Sequence, residues 1–209
     1  MSLRSSKELE LKLEKLHKPL GYKDYFEQYP TDSGTASKIL TMAYLRGDVK
    51  DRIVADLGAG TGTFAYGAAL MGARIVYAVE KDRDLLPVLQ KNLNGLPARI
   101  IVDEVSSFSE AVDTVFMNAP FGSVKPHADI PFLNAALAVA NVVYSIHNIR
   151  SRNFIMEYYG RHGEIFLTEQ IQLAIPHLFP HHEKKVYYIP SILVGVRVKR
   201  HRDYGIRLA

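Results

Sequence analysis

Two short stretches of the chain carry residue types suited to chemistry. The first is Asp56-Leu57-Gly58-Ala59-Gly60-Thr61-Gly62, an acid followed by glycines at alternate positions. Glycines there let a backbone take unusual dihedrals and approach a ligand closely. The second is Asn118-Ala119-Pro120-Phe121-Gly122, directly after the apolar run Val112 to Met117. It sets an amide oxygen, a backbone carbonyl and an aromatic face side by side. Such a set suits a planar substrate bearing an exocyclic amino group. That nitrogen is a poor nucleophile, because its lone pair is delocalised into the ring. The Asn118 side-chain oxygen and the Ala119 carbonyl can accept its two N–H bonds and favour a pyramidal nitrogen, while Phe121 stacks on the ring. Orientation and placed dipoles then supply the rate, and no strong base is needed.

The glycine loop excludes two common nucleotide sites. The sixth position of G-x-G-x-x-G counted from Gly58 is Thr63, and no lysine follows Gly62 as a P-loop requires. An acid just before alternating glycines instead resembles the D/E-x-G-x-G-x-G loop of class I methyltransferases. Their cofactor, S-adenosyl-L-methionine, has no phosphate to hold, and S-adenosyl-L-homocysteine is its product. Further acids agree. Glu80 ends the next apolar run, where a carboxylate can accept both ribose hydroxyls, and Asp82 lies close behind. Asp103 and Glu104 end a third run, where an acid can receive the adenine amino group. The Asn118–Phe121 tetrapeptide resembles [DN]-P-P-[FYW] of amino-group methyltransferases. Ala119 replaces the first proline, a change that keeps the carbonyl.

Short apolar runs alternating with amphipathic stretches must position these residues. Strands are expected at Arg52–Leu57, Arg74–Val79, Arg99–Val102, Val112–Met117 and Val142–Ile146. Helices are expected between them at Thr63–Met71, Leu85–Leu93 and Phe132–Ala140, and after the fifth strand at Ile149–Tyr159. This alternation predicts βαβ units and a parallel sheet. Two longer runs, Ile165–Ile175 and Val186–Val198, predict an antiparallel hairpin at the edge. Ahead of the core, Ser6–His17 places Leu9, Leu13 and Leu16 at helical spacing with Ser6 as a cap, and Thr35–Arg46 reads as a second helix.

The expected fold is therefore α/β and Rossmann-like: a seven-stranded, mostly parallel sheet with helices on both faces and an antiparallel strand at its C-terminal edge. The 209 residues suit one such domain, with 1–47 as a helical extension covering the cofactor and 48–209 as the catalytic core. Zero cysteines exclude disulfides and thiolate metal sites, and no metal is expected. The most apolar stretch, Ala135–Ile146, contains Asn141 and falls short of the ~18–20 residues of a membrane span. The N-terminal stretch lacks a signal-peptide apolar core, so a cytoplasmic location is expected. Net charge +4 favours a polyanionic partner.

Longer stretches resemble one family nearly end to end: the archaeal and eukaryotic family around methyltransferase-like protein five, adenine-N6 methyltransferases of small-subunit ribosomal RNA. The likeness lies in Leu9-Glu10, Glu27-Gln28-Tyr29-Pro30-Thr31, Val54-Ala55-Asp56-Leu57-Gly58, Asp113–Asn118, Phe132-Leu133, Val143-Tyr144-Ser145-Ile146-His147 and Lys184-Lys185 after His182. It implies that Gln28, Tyr29 and Thr31 close over the cofactor. It implies that Thr61, Thr63, Glu80, Glu104 and Val105 line the cofactor site beside Asp56, Gly58, Gly60, Gly62, Asp82 and Asp103. It implies a structured RNA substrate and a small zinc-ribbon activator protein that adds a strand to the sheet edge. His182, Lys184 and Lys185, with Lys199 and Arg200 of the basic tail, are candidates to meet RNA phosphates. From the residues alone, guanine N2 in RNA, adenine in DNA, a glutamine amide, or a non-catalytic scaffold stay open beside adenine N6.

Overall fold

The computed structural model describes residues 5–19, 31–121, 128–176 and 186–199. Among these, seven strands form one sheet: β1 Ile53–Leu57, β2 Ile75–Val79, β3 Ala98–Ile101, β4 Val112–Asn118, β5 Ala140–Asn148, β6 Gly163–Pro176 and β7 Val186–Val198. Their order across the sheet is β3-β2-β1-β4-β5-β7-β6. β1 to β5 are parallel, and β7 lies antiparallel between β5 and β6. The terminal hairpin is present as the sequence predicts. Its second strand inserts beside β5, so the antiparallel strand sits one place in and β6 forms the rim. The strand order turns about β1 and β4, which opens a crevice beyond their carboxyl ends.

Six helices flank the sheet among the described residues: α1 Ser6–Glu14, α2 Ser33–Leu45, α3 Thr63–Leu70, α4 Leu86–Leu93, α5 Ile130–Val139 and α6 Arg152–His162. Side chains alternate along each strand, so two cores form. On one face Val54, Val76, Phe116, Tyr144 and Ile146 pack with Leu9, Leu13, Ile39, Leu40, Phe64 and Leu89. On the other, Ala55, Leu57, Val115, Met117 and Val143 pack with Leu133, Ala136, Ile155 and Tyr159. α1 and α2 thus share the core of the sheet. No helix among the described residues is long and apolar enough to cross a membrane.

Caps decide where several helices begin. Ser5, not Ser6, caps α1, its hydroxyl accepting the Glu8 N–H at 3.2 Å. Ser6 turns its hydroxyl to that of Ser37 on α2, at 2.9 Å. α2 starts two residues earlier than its apolar pattern indicates. The reason is Asp32, whose Oδ1 accepts the Thr35 N–H at 2.9 Å. Asp32 Oδ2 also accepts the Ala174 N–H of β6 at 3.2 Å, tying α2 to the outermost strand. α4 is entered through a 3₁₀ turn, Arg83–Leu85, in which Asp82 Oδ1 accepts the Asp84 N–H.

Candidate active site

The glycine loop joins β1 to α3. Gly58, Gly60 and Gly62 have φ of +72°, +57° and +88°, a region that side chains disfavour. Space adds a second constraint. A Cβ at Gly58 would come within 2.8 Å of the Phe132 ring, and one at Gly62 within 2.7 Å of Leu89. A Cβ at Gly60 would meet nothing within 4 Å and would project into open space. The loop is tied to the end of β2: the Gly58 and Ala59 N–H groups both donate to the Val79 carbonyl at 2.9 Å.

Two buried carboxylates hold the loop. Glu80 Oε2 accepts the Gly60 N–H and Oε1 the Asp82 N–H, each at 2.8 Å. Asp56 Oδ2 accepts the Ala65 N–H at 2.8 Å. Ala65 lies in the first turn of α3, and the cap residue Gly62 has no side chain to satisfy that turn. Asp56 therefore caps the helix from the preceding strand, with its charge favoured by the helix dipole. Asp56 is 2% exposed and Glu80 7%. Burial pushes the Asp56 carboxyl up to about 7; the Ala65 N–H opposes this and the Glu80 charge adds to it. Burial also raises Glu80, against the Asp82 and Gly60 N–H bonds. Two buried carboxyls beside an open cradle suit a cationic, hydroxyl-bearing ligand.

Asn118 ends β4 in the adjacent strand. Met117 is in register with Leu57 of β1 and Ser145 of β5, so Asn118 comes level with the start of the glycine loop. Its side-chain oxygen is buried. Ala119 is buried at 2%, and Phe121 packs partly buried against the first core. The tetrapeptide and the glycine loop therefore open onto one crevice.

Other expected residues fall at varied distances from this centre. Thr61 and Asp82 are buried in the loop region, Thr63 opens α3, and Thr31 is buried just before Asp32. Asp103 and Glu104 are exposed at the rim after β3, with Asp103 Oδ1 accepting the Glu104 N–H and Glu104 facing Lys81 at 3.4 Å. Val105 is buried behind them. Lys199 follows β7 at the opposite end of the sheet, where its N–H donates to the His162 carbonyl at 3.0 Å. Gln28, Tyr29, His182, Lys184, Lys185 and Arg200 lie outside the described residues.

A buried polar network behind Asn118 had no role in the sequence reading. His147 Nε2 lies 2.9 Å from Ser145 Oγ, and the Tyr159 hydroxyl donates to the same Oγ at 2.9 Å. Burial pushes the His147 imidazole down to about 3, so it stays neutral at physiological pH. The signal was the Tyr-Ser-x-His pattern of β5, which shows spacing but not the Tyr159 partner on α6.

No protein-family model matches the chain. It is similar to the rRNA N(6)-adenosine-methyltransferase METTL5 of Danio rerio, with 31% identity over 76% of this chain and 82% of the relative. It is similar to the Drosophila melanogaster protein of the same name, with 30% identity over 84% and 91%. The fold superposes on the crystal structure of PH1948 from Pyrococcus horikoshii, provisionally named an RNA methyltransferase. The TM-score is 0.87 at 40% identity, covering 95% of this chain and 99% of that one.

Proposed function

The chain belongs to the METTL5 family of rRNA N6-adenosine methyltransferases, and from that premise we propose which residues bind, hold and align the reactants. The protein is an S-adenosyl-L-methionine-dependent methyltransferase acting on the N6 amino group of adenine in RNA. The residues present fit that cofactor. An open cradle beside Gly60 and two buried carboxyls, Asp56 and Glu80, match a ligand with two cationic groups and a ribose diol. When bound, S-adenosylmethionine supplies an electrophilic sulfonium methyl.

In this reading Glu80, whose two oxygens already hold Gly60 and Asp82, uses its remaining lone pairs for the ribose hydroxyls. Asp56 offers negative charge under the loop. Glu104 or Asp103 takes the adenine end at the rim, with Val105 as the apolar wall. Gln28, Tyr29 and Thr31 close the site. Asn118 Oδ1 and the Ala119 carbonyl accept the two N6 hydrogens of the target base, Pro120 keeps that turn extended, and Phe121 stacks on the ring. The nitrogen loses its proton to water after it gains the methyl, when it has become acidic, and the neutral His147 behind the strand is given no part in that transfer.

The observation that carries this reading is the strand register that sets Asn118 beside the glycine loop. Replacing Asn118 by Ala should lower single-turnover methylation by roughly 10²–10³ while leaving cofactor affinity nearly level, because the lost acceptor acts on the substrate nitrogen. Undiminished turnover would place the amino group elsewhere.

The finer assignment is that the substrate is small-subunit rRNA. Nucleoside mass spectrometry of rRNA from cells with and without the gene tests it, since one N6-methyladenosine should vanish from the small subunit. We also propose a small zinc-ribbon activator pairing along a sheet edge. Of the outer strands, β6 has its backbone engaged by Asp32 at Ala174, which leaves β3 as the freer edge. Co-expression followed by gel filtration should recover a heterodimer.

A further inference from the structure

The glycine loop is also held from α4, by a residue with no sequence signature. Asn92 stands in the last turn of α4 and is 6% exposed. Its Nδ2 donates to the Thr61 carbonyl at 2.9 Å and to the His17 carbonyl at 3.0 Å. Its Oδ1 accepts the His17 N–H at 2.9 Å. One primary amide thus spends both donors and its acceptor on backbone. It joins three segments remote in sequence: the stretch after α1, the glycine loop and α4.

We propose that Asn92 is a positioning residue for the cofactor, fixing the Thr61 peptide of the glycine loop and locking the N-terminal segment at His17 to the same point. The inference rests on reading residues 58–62 as the S-adenosylmethionine loop. Thr61 lies between two left-handed glycines, and the peptide that carries its carbonyl is held within the loop by the Gly62 N–H, which donates to the Ala59 carbonyl at 2.7 Å. Val79 holds Gly58 and Ala59, and Glu80 holds Gly60. The Thr61 carbonyl is held by Asn92. Among neutral side chains of this length only a primary amide can serve two carbonyls and an N–H together. Aspartate would set a carboxylate against two carbonyls. Leucine would leave buried backbone groups unpaired, which costs more than a hydrogen bond is worth.

The test is calorimetric and kinetic, on Asn92→Asp and Asn92→Ala in the full chain. The Kd and KM for S-adenosylmethionine should rise about tenfold, the effect of one or two such bonds, while kcat at saturating cofactor stays within about twofold. Ile155→Ala, a cavity in the opposite core, serves as a control that lowers the melting temperature without touching cofactor affinity. A merely structural Asn92 would behave like that control, with melting temperature lowered and Kd unchanged, and this result overturns the proposal. A fall in kcat with unchanged Kd overturns it as well. Gly60→Val separates the two readings. If it leaves affinity unchanged, the loop assignment fails, and the Asn92 proposal with it. If it abolishes binding while Asn92→Asp does not weaken it, only the Asn92 proposal fails. Should the Asn92 variants not fold, hydrogen exchange on the native protein decides. S-adenosylhomocysteine should slow exchange of the His17 amide, and an unchanged rate overturns the coupling.

Discussion

Asp56 lies almost fully buried near Glu80, and burial pushes its carboxyl up to about 7 from 3.8 in the unfolded chain. The folded protein therefore binds a proton that the unfolded chain has already lost between these values. The resulting stabilisation is present in full below about pH 4 and disappears as the pH rises through 7. Cofactor binding has the opposite preference. A ligand that carries a sulfonium and an ammonium, with net charge +1, favours ionised Asp56, so binding below pH 7 must expel the proton. Affinity for S-adenosylmethionine should fall as pH drops from 7 to 5, approaching tenfold per unit. Asp56→Asn should bind more weakly and show a flatter profile. Calorimetry in buffers of different ionisation enthalpy measures the proton released, and no release at pH 6 would remove Asp56 from the cofactor's electrostatics. The sequence reading proposes Asp56 as a ligand group. It did not reveal that the same carboxylate caps α3, because that needs the turn geometry that brings Ala65 back over the strand end.

At the scale of elements, α3 packs against α1 and α2, and Gly67 faces Leu13 of α1 and Leu40 of α2. A Cβ there would collide with Leu40, which has no solvent to move into, and would touch Leu13 at 3.6 Å. Gly67→Ala should gain about 1 kcal/mol of helix propensity. It should lose about 1–3 kcal/mol by overpacking. A net fall in melting temperature of a few degrees is expected, and a rise would mean that α2 can shift outward at little cost. This contact also shows what pattern reading can and cannot reach. Period-2 and period-3.6 apolar spacing located the strands and helices, because burial on one face is written into each segment. Their ends were less legible. Ser5 displaced Ser6 as cap, Asp32 moved the start of α2, and β5 extended to Ala140–Asn148, since each end is set by partners elsewhere. Asn92 is the clearest case: its partners lie 75 and 31 residues away, and no local pattern marks it.

At the scale of the whole molecule, the proposed site lies at the carboxyl ends of β1, β2 and β4, while the net charge of +4 is spread thinly over 209 residues. So small a net charge gives weak long-range attraction, and RNA affinity must come from a few local phosphate contacts. Each contact neutralised on RNA releases condensed counterions, with log K falling by roughly 0.7–0.9 per contact for each unit of log salt. Asn118 is in register with Ile146 of β5, and Ile146 with Leu193 of β7; Lys184 and Lys185 precede β7 in sequence. Lys199 stands at the far end, beside His162. Contacts from the segment that joins β6 to β7 are therefore expected to matter more than those of Lys199. Reversing Lys184 and Lys185 to Glu should weaken RNA binding and reduce the salt slope by about 1–2, leaving cofactor affinity unchanged. Reversing Lys199 should change both quantities less. Filter binding across a salt series measures slope and affinity together. Equal effects from the two reversals would mean that RNA spans the full height of the sheet, and that the target base reaches Asn118 only as one end of a long footprint.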